Sequence, residues 1–212
     1  TYGSNYASYN AMTFDSSNNK VVIAYSNGSI SRHGYAVVGT VSGTSISFGT
    51  KTVFESAETN FTGITIDSNS NKVVIGYQDN PNSSAGTAVV GTISGTSISF
   101  GSPVVFRSGG THWINLAFDT VSGTSISFGT EASFTSNDTT YNKIVFDSTS
   151  NKPIIAYKDS TDSEHGKIVE GTVTGTSISF GSPILFNSAW TESISPIVDS
   201  VTNKIIISYR NN

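Results

Sequence analysis

The chain has 212 residues, of which only 12% are charged, with a formal net charge of -4 and no cysteine. That balance offers no basic surface to neutralise phosphates and no thiolate or disulfide chemistry, so nucleic acid is not an expected partner and the redox compartment is left undetermined. The longest apolar runs, such as Val21 to Tyr25, are far too short to span a bilayer, and no membrane insertion is expected.

In chain order, the first segment carries Tyr2 and Tyr9 and runs as a strand to Asp15. Asp-Ser-x-x-Asn-Lys (Asp15 to Lys20) then predicts a hairpin turn in which Asn takes the left-handed conformation. VVIAY from Val21 is a β-branched run closed by an aromatic, and predicts a buried second strand. After a polar loop, YAVVGTVSG from Tyr35 gives a third strand, and Gly43-Thr44 opens a turn into SISFG, a fourth strand that continues towards VVF.

The same order then repeats. Phe54, Phe61, Asp67, VVIGY from Val73 and TAVVGTISG from Thr87 form a second copy. The third copy has Phe106, Trp113 and Asp119 but jumps at once to Gly123; it is 24 residues short, and only its inner strand, Ile114 to Phe118, is expected to survive. Phe134, Tyr141, Asp147, PIIAY from Pro153 and KIVEGTVTG from Lys167 make a fourth copy, and Phe186, Asp199 and IIISY from Ile205 open a fifth that stops at Asn212 after two strands.

GTSISFG itself recurs at Gly43, Gly95, Gly123 and Gly175, spaced by 52, 28 and 52 residues. A period of this length, four antiparallel strands deep and without helical periodicity, predicts an all-β fold: a β-propeller of about five blades, the third and fifth truncated. The chain is read as a single domain, 1–212, with repeats at about 2–53, 54–105, 106–133, 134–185 and 186–212. Three ways of completing the ring stand open: closure by five inner strands, an oligomer that supplies the missing strands, or continuation of a longer repeat chain through the open edge of the last blade.

Six residues before each aspartate stands a ring, Tyr9, Phe61, Trp113 or Tyr141, until Ser193 breaks the pattern and Trp190 lies three residues earlier. Such rings suit the apolar faces of sugars, with Asn, Thr and backbone groups fixing the hydroxyls; as core that wedges between blades they have a plainer role. A further column closes each second strand as Tyr-x-Asx and places Asp79 and Asp159 as candidate ligand contacts or, alternatively, as turn formers beside a packed Tyr. The anchor aspartates recur in one identical role, which is that of a turn rather than of a catalytic pair in unlike environments. His33, His112 and His165 fall at no metal spacing, and no catalytic residue, metal site or cofactor is expected.

NKVVIAY at Asn19, GTAVVGT at Gly86 and GTSISFGSPVVF at Gly95 resemble tandem repeats of structural and tail-fibre-like proteins of marine tailed phages and of related bacterial surface proteins. That resemblance implies an extracellular or virion-surface protein used for attachment or display. Similar blades present similar pockets, and weak sites engaged together gain avidity. The expectation is therefore a non-enzymatic, lectin-like module binding surface glycans, with a structural or decoration protein of a virion or cell surface as the alternative.

Overall fold

A computed structural model describes residues 6–117, 126–199, 201–202 and 204–211. Tyr2, Asp119 and the start of the third GTSISFG at Gly123 lie outside the described residues. The fold is all-β, every strand pair is antiparallel, and the chain forms two compact units, Thr1–Ser127 and Phe128–Asn212.

In the first unit, β1 (Ala7–Asp15), β2 (Lys20–Asn27) and β3 (His33–Ser42) form a meander. The predicted fourth strand is split in two. β4 (Ser45–Phe48) pairs with the far end of β3, and the first residues of β5 (Thr52–Asp67) pair with its near end. The rest of β5 is the first strand of the second copy, which continues as β6 (Lys72–Asp79), β7 (Ala85–Ser94), β8 (Ser97–Phe100) and β9 (Val104–Arg107). These nine strands make one curled sheet, in which β1 comes to lie across β5 although they are not paired.

This curl explains why the second strands are apolar without alternation: they are buried on both faces. Val22 and Val38 of the first copy meet Val73, Ile93 and Ile98 of the second, with Ile64 and Ile66 against them. Val21, Ile23 and Tyr25 turn the other way, into a separate cluster with Tyr35 and Val37. Each such side chain contributes about 1.5–3 kcal/mol by leaving water.

The second unit repeats the plan with β10 (Thr139–Asp147), β11 (Lys152–Asp159), β12 (His165–Thr174), β13 (Ser177–Phe180) and β14 (Ile184–Asn187), followed by the two-stranded β15 (Thr191–Asp199) and β16 (Lys204–Asn211). The third copy departs from expectation. Its inner segment, described as far as Ala117, carries no strand, because the hairpin partner that would pair with it falls in the stretch this copy lacks. Its place is nevertheless kept: Leu116 packs on Val74, Ala88 and Val90, and a Cβ on Gly63 would lie 2.7 Å from the Ile114 carbonyl oxygen.

Candidate ligand-binding site

Each first hairpin is fixed by its aspartate. Asp15 Oδ1 accepts the Ser17 N–H at 2.9 Å and Asp147 Oδ1 the Thr149 N–H at 2.9 Å, while Ser150 Oγ donates to Asp147 Oδ2 at 2.5 Å. Asp67 and Asp199 make the same turn with Asn69 and Val201. Asn19, Asn71 and Asn151 have φ of 51, 55 and 58°, the left-handed turn position expected of them. The Ser150 hydroxyl holds the Asp147 pKa below the usual carboxylate range, and the Thr202 hydroxyl does the same for Asp199. For Asp15, burial pushes upward, but hydrogen bonds from Asn18, Ser68 and the backbone outweigh it and its pKa is lowered.

From that turn the two strands run in register for five residue pairs and then slip. The slips lie between Ser8 and Ala11, Asn60 and Gly63, Thr140 and Lys143, and Glu192 and Ser195. In each case two residues of the first strand oppose one of the second, which is Tyr25, Tyr77, Tyr157 or Tyr209. The first bulge residue is the ring-bearing one in three of the four, and Ser193 in the last. Tyr9, Phe61, Tyr141 and Ser193 have φ of 51, 49, 54 and 53°, and Trp113 has 55° at the same place in the strandless third copy. A bulge with a left-handed first residue is ordinarily built on glycine. A bulky side chain there is an outlier, and such strain concentrates at functional sites.

The bulge also aims the rings. Phe61, half-buried, has its centroid 5.1 Å from Tyr9 and 5.1 Å from Trp113, at interplanar angles of 51 and 60°, and the His112 ring meets it edge-on. Tyr9 is 38% exposed and Trp113 71%. On either side of Phe61, the buried Asn60 Oδ1 and Thr62 Oγ1 find no hydrogen-bond partner among the described residues.

In the second unit, Tyr141 and Trp190 are both exposed and share one ammonium: Lys158 Nζ lies 5.4 Å from the first ring centroid and 4.8 Å from the second. Lys158 is itself buried and ion-paired with Glu164. Trp190 Nε1 donates to Glu192 at 2.9 Å, and Glu192 is also bound by Arg210.

The Tyr-x-Asx column divides. Tyr77 and Tyr157 are fully buried; Tyr77 donates to Glu55 at 3.0 Å, and burial followed by the Glu55 charge pushes its pKa up. Asp159 is 1% exposed and accepts from Lys167, Asn137 and Thr161 side chains and from the Thr161 and Asp162 N–H groups, so its carboxylate is occupied as a turn and packing group. Asp79 is half-buried at the end of β6. Among the described residues, neither aspartate hydrogen-bonds to one of the rings.

The middle residue of each Tyr-x-Asx triplet also lies at the bulge. Ser26, Gln78, Lys158 and Arg210 sit directly opposite Ser8, Asn60, Thr140 and Glu192, beside the bulge. Strand alternation was the available signal: with Tyr inward, its neighbour faces the other side.

No family model, curated protein or solved structure matches this chain. The geometry provides outward aromatic surface, flanked by amides and hydroxyls in the first unit and by paired charges in the second.

Proposed function

We propose that the chain is a non-enzymatic, lectin-like binding module that attaches to surface glycans through its bulge rings. The repeats act as blades of a propeller of about five blades, the third and fifth short, in an extracellular or virion-surface protein. One observation carries this reading: Tyr9, Phe61 and Tyr141 occupy left-handed bulge positions, and Trp113 the same left-handed conformation in the third copy, where glycine would relieve strain. Exposure of Tyr9, Trp113, Tyr141 and Trp190 adds to it, since packing wedges would be covered. Asp159, saturated by its own hydrogen bonds, is not part of the proposed contact surface.

A structural or decoration role is favoured instead by the mutual contacts of Tyr9, Phe61 and Trp113, which could serve as a seam between copies. A glycan array probed with the purified chain separates the two. Specific binding that is lost in a folded Trp113→Ala variant supports attachment, and a blank array from the folded chain moves the assignment to the structural role.

A further inference from the structure

Tyr9, Phe61 and Trp113 come from three successive copies, yet their rings form one uninterrupted strip in the first unit. We propose that this strip takes a linear, uncharged polysaccharide, laid across the three copies and gripped by several consecutive sugars rather than by a chain end. The proposal rests on the glycan reading above and specifies the class of glycan.

Three observations converge on it. At 5.1 Å between neighbouring centroids the rings touch, so they form a surface longer than one sugar, and only a chain uses its whole length. Successive rings are inclined by 51 and 60°, which fits a ligand whose flat faces turn from one unit to the next and disfavours a single rigid planar one. The residue pairs beside these bulges are Ser8 with Ser26 and Asn60 with Gln78, all neutral, and the buried Asn60 Nδ2 is tied to Gln78 Oε1 at 3.2 Å. The corresponding pairs of the second unit, Thr140 with Lys158 and Glu192 with Arg210, are charged. Among the described residues, the His112 imidazole is the one nitrogen base in ring contact with the strip, neither neighbouring pair adds a cation, and a polyanion meets a chain of net charge -4. Both end rings are more exposed than the middle one, as passage of a polymer through the site requires.

The chain has two tryptophans, so Trp190→Phe leaves Trp113 as the sole tryptophan reporter on the strip. Its fluorescence is titrated with ladders of neutral β-1,4-gluco-, β-1,3-gluco-, β-1,4-manno- and α-1,4-gluco-oligosaccharides of one to six sugars, and with a uronate ladder. The expected result is that affinity for one neutral ladder rises roughly two- to tenfold for each added sugar that reaches a ring, then levels off. Tyr9→Ala in this background lowers affinity for the longest oligomer and spares the disaccharide, a split that a folding defect does not produce. Equal affinity for monomer and hexamer, or preference for the uronates, overturns the strip while leaving a positive glycan array, and hence the glycan reading, intact. Blank ladders together with a blank array bring down both, and self-association through the strip in light scattering reassigns it to protein contact.

Discussion

At the residue scale, the bulge reverses the ordinary ranking of small residues. Glycine in a strand is normally worse than alanine, but at Tyr141, with φ of 54°, alanine keeps the backbone strain and glycine removes it. Tyr141→Gly is therefore expected to be more stable than Tyr141→Ala by about 1 kcal/mol in chemical denaturation, and both should lose ligand contact. Alanine equal to or better than glycine would show that the left-handed conformation is not held in solution. The turn aspartates give a second outcome. Their folded pKa values are lowered, so the stability they contribute is present above the unfolded value near about 4 and drains away as pH falls through the folded value. Urea midpoints should thus drop steeply below about pH 4, and less steeply when Asp147 and Asp199 are both replaced by Asn.

At the element scale, ring and glycine are matched. A Cβ built on Gly86 would sit 2.5 Å from the Phe106 ring, and Gly34 and Gly166 stand in the same relation to Phe54 and Phe186. Phe54, Phe106 and Phe186 therefore leave no room for a side chain at the residues facing them. Gly86→Ala is expected to destabilise by about 1–3 kcal/mol, measured as a shift in denaturation midpoint, through displacement of Phe106. Hairpins, left-handed asparagines and the paired second strands could be read from residue order because each rests on local chemistry: Asp15 to Lys20 encodes its own turn. The bulge could not, since nothing in the identity of Tyr9 or Phe61 announces a positive φ. Nor could the break in the fourth strand or the fate of residues 114–117, which depend on whether a distant partner is present to complete the ladder. The ring column itself was visible as a spacing; its exposure and the joining of three rings were not, because both depend on how one copy lies against the next.

At the scale of the whole molecule, stability comes from copy-on-copy burial, as in other repeat proteins where each unit leans on its neighbours. Ile154, 2% exposed, and Ile206, its counterpart at 52%, are the same residue in the same register with different cover. Ile154→Ala should cost about 2–5 kcal/mol and Ile206→Ala well under half of that, compared by equilibrium denaturation. Similar losses at both positions would mean that Ile206 is covered in solution.

The sixteen-residue β5 has a mechanical consequence. Because one continuous strand closes the first copy and opens the second, there is no linker at that boundary at which the two could swivel. Tyr9 and Phe61 therefore keep their separation without help from a ligand, and whatever lands on them finds the gap already set, so that none of the binding energy is spent on freezing a joint.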